Sequence, residues 1–369
     1  MLDTLYPRRR LRQHVAAESQ GYVEGGSSWG CAAALGESRA AQSRQGRRSG
    51  GDGPGAASTP ASRPAVSVVY SESILSHGYY EQTCPQAEEI VQQQVERIYG
   101  IHGNSAVSFL RNIFHDCSVQ GCDGSLLLDS LPGHAGEKDS DKNFGMRKYV
   151  NQIKEAIEQV CPGVVSCADI LILSGRDGIA MLGGPHFAVK TRRRDTRNFS
   201  VDAADSELLP HDADVDAFLI KMASLNVNIS QAVALAGAHT VGRTHCKHLV
   251  DRLYPTVDPT LDVDYSTYLK ARCPTPSSDP KAVEYSRNDP ITPMKFDNYY
   301  YKNVMNKKGL LRLDNGLYLD ERTKPYVEIM AQDNDYFFEQ FVEGISILSE
   351  HNVLTGSRGE IRKHCQFLN

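Results

Sequence analysis

The chain predicts a mainly α-helical protein, and three observations carry the prediction. Apolar residues recur at three- and four-residue spacing in several stretches after residue 75. No strand-rich block and no strand–helix–strand alternation interrupts them. No internal repeat is present.

Residues 1–74 stand apart as a low-complexity extension in which Gly, Ser, Ala and Arg dominate, as in Arg8-Arg9-Arg10 and Gly50-Gly51-Asp52-Gly53-Pro54-Gly55. No periodic apolar face emerges there, so disorder or a displaced natural start is expected, with the folded domain over 75–369. Pro85 suits a first helical turn, and Ile90, Val91, Val95, Ile98 and Tyr99 form a stripe expected to stop at Gly100. Val107, Leu110, Ile113 and Phe114 form a second stripe. Val150, Ile153, Ile157 and Val160 form a third, Ala232–Thr240 reads as another helix, and Phe338, Phe341, Ile345 and Leu348 mark a late one.

At 369 residues, 40% hydrophobic and 23% charged, the chain can bury a large core. A net charge of -5 and a pI near 6.2 give nucleic acid or an anionic membrane nothing to hold. No apolar run reaches the roughly 18 residues of a membrane span. Eight of the nine cysteines lie after residue 80, and Cys31 lies alone in the extension. Eight cysteines without a Cys-x-x-Cys read as four disulfides made in an oxidising compartment, although spacing leaves 105 pairings open. The sequons at Asn198 and Asn228 agree with that compartment. The N-terminal segment lacks the apolar stretch of a signal peptide. A replaced start is favoured over a transit peptide, because Glu18, Glu24 and Glu37 are acidic.

The segment Arg111-Asn112-Ile113-Phe114-His115-Asp116-Cys117 holds the chemistry. On a helix, Arg111 and His115 share one face. A fixed cation beside a general base suits heterolysis of a peroxide bond, where a proton moves while charge develops on the departing oxygen. Alone the pair is more simply read as solvated helix surface. A second histidine, in Ala236-Gly237-Ala238-His239-Thr240-Val241-Gly242, raises its weight.

With these pieces together, residues 79–365 resemble a class III plant secretory peroxidase of the plant-type haem peroxidase superfamily. The resemblance rests on several motifs in one order: Tyr80-Glu81-Gln82-Thr83-Cys84-Pro85, Phe114-His115-Asp116-Cys117, Gly121-Cys122-Asp123-Gly124-Ser125, Val165-Ser166-Cys167-Ala168-Asp169, Arg193-Arg194-Asp195, Gly237-Ala238-His239-Thr240 and Phe296-Asp297-Asn298. It implies a two-lobed helical fold with haem b between distal and proximal halves, two calcium ions, and one-electron oxidation of small phenolic donors by hydrogen peroxide. By the same resemblance, His115 is the distal histidine, Arg111 the distal arginine, Phe114 the distal aromatic, and Asn143 the residue orienting His115. His239 is the iron ligand, Asp314 its support, and Pro210 lines the donor channel. Asp116, Val119, Gly121, Asp123 and Ser125 match a distal calcium site; Thr240, Asp289, Thr292, Lys295 and Asp297 match a proximal one. The implied bridges are Cys84–Cys161, Cys117–Cys122, Cys167–Cys365 and Cys246–Cys273. A monomer is expected, with no nucleic-acid or membrane partner, in the cell wall or apoplast; the missing signal peptide leaves vacuole or organelle open.

The chain departs from the family pattern at Asn112, where leucine is common, and at Arg192, where glycine is usual. It also departs in a shortened stretch after Asn143. Two competing readings are a calcium-binding scaffold that does not turn over and a zinc hydrolase using His115, Cys117 and Cys122. The first has no need of a charged pair facing an iron. The second loses its ligands if those cysteines form a disulfide.

Overall fold

The computed structural model describes residues 75–143, 148–275 and 284–369. The expectations for residues 1–74, Cys31 and Trp29, and for the stretch 144–147, lie outside the described residues. Among the described residues the elements are overwhelmingly helical. They begin with α1 (Ala87–Ile101), α2 (Ser105–Cys117), α3 (Lys148–Val160) and α4 (Cys167–Met181), which pack on one another. A second group follows: α5 (Val201–Glu207), α6 (Val215–Ser224), α7 (Ile229–Ala236), α8 (Val250–Leu253), α9 (Val263–Arg272), α10 (Tyr299–Met305), α11 (Arg312–Leu319), α12 (Lys324–Gln332) and α13 (Asn334–Ser349).

The stripes read from the sequence face the core, with local corrections. In α1, Val91, Val95 and Ile98 are buried, but the helix runs through Gly100 to Ile101 and begins two residues after Pro85. In α3, Val150, Ile153 and Ile157 are fully buried, whereas Val160 at the helix end is half exposed. The Ala232–Thr240 stretch is two elements. α7 starts at Ile229 behind a capping box between Asn228 and Gln231, and tightens at Gly237–Thr240 into a 3-10 turn. Periodicity alone does not reveal that tightening, which re-aims His239. A short antiparallel ribbon, β1 (Arg243–His245) with β2 (Tyr285–Arg287), was not anticipated.

Close approach sets α2 in place. A Cβ on Gly178 of α4 would sit 2.9 Å from the Ala106 carbonyl oxygen, and one on Gly175 would sit 3.1 Å from that of Phe109. Only glycine lets the two backbones come this near. The start of α4 is anchored by Asp195, whose carboxylate accepts from the N–H groups of Cys167, Ala168 and Arg362. Arg193 pairs at 2.9 Å with Asp169, and both side chains are fully buried. The Arg193-Arg194-Asp195 motif therefore works as internal scaffolding.

All four bridges form as the resemblance implied: Cys84–Cys161, Cys117–Cys122, Cys167–Cys365 and Cys246–Cys273. The Cys117–Cys122 bond removes both sulfurs from zinc chemistry. Among the described residues no three His, Cys, Asp or Glu side chains converge on a metal position. No single helix there is long and apolar enough to cross a membrane.

Candidate active site

His115 lies near the C-terminal end of α2 and is half-buried. Its Nδ1 is 2.7 Å from Oδ1 of Asn143, whose own Nδ2 donates to the Glu137 carbonyl at 2.8 Å. That second bond orients the amide so that its oxygen faces the ring. Nδ1 must then carry the proton, which leaves the lone pair on Nε2. Arg111, one turn earlier, donates from Nη2 to the Lys142 carbonyl at 2.8 Å. Lys142 in turn donates from Nζ to the Asp205 and Leu208 carbonyls, both at 2.6 Å. The turn carrying Asn143 is thereby tied to the segment leading to Pro210, which is exposed. Phe114 is half-buried, its ring edge-on to His115 at 5.9 Å.

His239 sits in the 3-10 turn after α7, and its Nδ1 donates to Oδ1 of Asp314 at 2.9 Å. Asp314 is 2% exposed and also accepts from the Leu311 N–H and the Tyr300 hydroxyl. Burial alone would raise its carboxyl, but the His239 partner and these donors hold it below the ordinary range. Burial pulls His239 down and the Asp314 charge more than restores it; the Arg111 charge opposes that rise. The His239 side chain is 35% exposed beside an almost fully buried carboxylate, so its ring borders open space while Nδ1 stays tied. A partly exposed imidazole with a committed Nδ1 would suit an iron ligand, so the residues present fit haem.

The distal loop places Asp116, Asp123 and Ser125 together. Asp116 accepts from the Gly124 and Leu126 N–H groups, and Asp123 accepts from Ser125 N–H. Gly121, at φ 138°, could not be another residue, because a Cβ would lie 2.5 Å from the Asn352 carbonyl oxygen. Val119 is buried beside it, its carbonyl accepting from Gly121 N–H. Burial and mutual repulsion raise the Asp116 carboxyl, and burial raises Asp123. Glu137, which the sequence reading missed, is 1% exposed, and its Oε2 accepts no hydrogen bond. Burial and the neighbouring Asp116 push its carboxyl up to about 9. The oxygen-only chemistry of Asp116, Asp123 and Ser125 suits a hard cation, although three acidic side chains do not converge on one point among the described residues.

On the proximal side, Thr240 Oγ1 lies 3.4 Å from both the Lys295 carbonyl and Asp297 Oδ1. Thr292 Oγ1 bridges Asp289 and Asp297 at 3.2 and 3.1 Å. Asp289 is fully buried and Asp297 nearly so. Backbone N–H groups of Ile291, Thr292 and Tyr299 also donate to these carboxylates, and Lys295 Nζ lies 3.3 Å from Asp297 Oδ2. The donor set is all oxygen, which suits calcium.

Two further features had no sequence signal. Tyr300 reaches Asp314 from α10, and His211, next to Pro210, packs its ring 4.8 Å from that of His248. Burial, then His211, Lys247, His245 and Arg111, push His248 down to about 4. Asn112 is 3% exposed, and its Nδ2 has no hydrogen-bond partner; nothing in the structure explains the choice of asparagine there.

The peroxidase family profile matches residues 91–333. Peroxidase 21 of Arabidopsis thaliana is 53% identical over 298 residues, covering 80% of this chain and 91% of that protein. Peroxidase 42 of the same plant is 50% identical over 310 residues, covering 84% and 94%. Cationic peroxidase SPC4 of Sorghum bicolor is 37% identical over 304 residues, covering 80% and 82%. With the profile spanning most of the folded region and these relatives matched along nearly their full length, the chain belongs to the peroxidase family, as a class III plant peroxidase.

Proposed function

We propose that this haem peroxidase, which reduces hydrogen peroxide to water, does so with His115 as the acid–base group, Arg111 as the fixed cation and His239 as the iron ligand. The reading places the activity in residues 75–369. The observation that carries it is the matched pair of imidazoles. Each is committed through Nδ1, His115 to an amide and His239 to a carboxylate. Haem b, one per chain, would supply the iron centre that takes up the oxidising equivalents of the peroxide.

The neutral partner Asn143 leaves His115 able to take a proton through Nε2 and return it to the departing oxygen. The anionic partner Asp314 makes His239 electron-rich, which favours O–O cleavage over oxygen carriage. Arg111 supplies preorganised positive charge for the leaving oxygen. Phe114 keeps bulky donors away from the distal imidazole, so they give up single electrons near Pro210 instead. Small phenols are the proposed donors. The distal set Asp116, Val119, Gly121, Asp123 and Ser125 and the proximal set Thr240, Asp289, Thr292, Lys295 and Asp297 would each hold one calcium. Asp116 adjoins His115 and Thr240 adjoins His239, so each ion would brace one histidine. Four disulfides support an extracellular site of action. The acidic net charge supports a monomer without nucleic-acid or membrane partners.

The test is stopped-flow activation by peroxide. Arg111→Leu should keep its Soret band and lose about 10²–10³ in rate, the usual worth of one such donor. A near wild-type rate would remove Arg111 from the mechanism. A purified protein with no Soret band, or one oxidising phenols without peroxide, would remove the whole reading.

A further inference from the structure

We propose that Tyr300 is a positioning residue of the proximal side: by donating to the Asp314 oxygen that also accepts from His239, it limits the imidazolate character of His239 and so sets the redox balance of the iron held there. The inference rests on the reading of His239 as iron ligand.

Tyr300 Oη lies 2.9 Å from Asp314 Oδ1, and His239 Nδ1 lies 2.9 Å from the same atom. The other oxygen, Oδ2, accepts from the Leu311 N–H at 2.7 Å. The Tyr300 and His239 rings meet edge-on, 77° apart with centroids 6.2 Å apart, so both can reach Oδ1 from different directions. Tyr300 is 3% exposed and Asp314 2%, which keeps the contact in a low-dielectric setting where such bonds are strong.

The need to bury a phenol does not by itself explain the partner. Tyr301, the next residue, is fully buried and satisfies its hydroxyl on the Val233 and Ala234 carbonyls at 3.1 and 3.4 Å. Tyr300 directs its hydroxyl instead to the carboxylate that accepts from His239. A hydrogen bond to a charged acceptor draws negative charge toward the donor. With the phenol in place, Oδ1 is a weaker base and the shared proton stays nearer Nδ1 of His239. Without it, His239 becomes more electron-rich and the ferric state gains.

Tyr300→Phe retains the ring and deletes only the hydroxyl. In the haem-loaded full chain, the expected result is a Fe(III)/Fe(II) equilibrium moved about tenfold toward ferric, which is about 59 mV for a one-electron couple. The ferrous iron–histidine stretching band should move to higher frequency in resonance Raman. Asp314→Asn, measured beside it, should move both readouts the opposite way. If Tyr300→Phe leaves potential and band in place, with or without a lower Tm, while Asp314→Asn shifts them, the inference is overturned and the His239 assignment stands. If Asp314→Asn also moves neither, the assignment fails and takes the inference with it.

Discussion

Asn143 accepts a 2.7 Å hydrogen bond from His115, a residue 28 positions away on a different element. The amide is itself held by the Glu137 carbonyl, so the tautomer of His115 is set by a two-step relay through a turn. Outer partners of this kind are typically worth 10–100-fold. Asn143→Val should therefore lower the peroxide activation rate by about that factor while the Soret band persists. An unchanged rate in stopped-flow would show that packing alone orients the ring.

Glu137 links this relay to the buried carboxyls of Asp116 and Asp123, and the charge balance there makes stability depend on pH. In the metal-free protein the folded-state carboxyls of Glu137, Asp116 and Asp123 are raised above their unfolded values near 4. A raised carboxyl binds more protons folded than unfolded, so its contribution is present at low pH and is lost as pH rises through the folded value. Chelated protein should thus lose Tm between about pH 5 and about pH 9, the upper end being set by Glu137. Calcium binding releases those protons and should restore Tm most at high pH. Chelation should also perturb the haem spectrum before global unfolding. A chelated protein whose Tm rises with pH, or whose spectrum and turnover are untouched, would contradict this account.

Arg192 occupies a position with φ 102°, where a Cβ is strained, and its N–H donates to Asp169 at 2.7 Å. Its guanidinium lies 5.2 Å over the Tyr79 ring, a contact worth about 0.5 kcal/mol at an exposed site. Glycine would relieve the strain and keep the N–H donor. Arg192→Gly should stabilise the protein by about 1 kcal/mol in denaturant unfolding, with turnover unchanged. A loss of stability would mean that the stacking contact outweighs the backbone strain.

The bridges should not contribute equally. Cys167–Cys365 spans 198 residues and Cys246–Cys273 spans 27. The chain-entropy relation gives about 5 kcal/mol for the longer loop and about 3.5 kcal/mol for the shorter. The shorter bridge lies inside the longer loop, which trims the difference. Paired Cys→Ser variants compared by urea unfolding should still rank Cys167–Cys365 as the costlier loss, and the reverse order would reject a loop-length explanation.

Much of the fold was legible because helices advertise themselves locally. The stripes on α2, α3 and α13 depend only on spacing, and Ile113, Ile153 and Phe341 are buried as spacing implies. The misplacements have local causes too: Gly100 is tolerated inside α1, and the turn holding His239 tightens where α7 ends. His115 and Arg111 can be paired from their four-residue spacing and His239 stands out as a second histidine, but the roles of His239, Asp314 and Asn143 come through the resemblance. Nothing in the spacing of His239 and Asp314, 75 residues apart, foretells a shared hydrogen bond.

The sequence by itself determined the helical class, the pairing of Arg111 with His115 on one helical face, and the supply of eight cysteines after residue 80 and many carboxylates. These follow from side-chain period and composition, which act over a few residues. Only the tertiary structure decided that Glu137 is buried within electrostatic reach of Asp116, and that Tyr300 rather than Tyr301 reaches Asp314. Those outcomes depend on the packing of α10 against α11 and on how the turn carrying Glu137 and Asn143 folds back onto α2. A hydrogen bond is decided within tenths of an ångström, and a linear pattern does not carry that information.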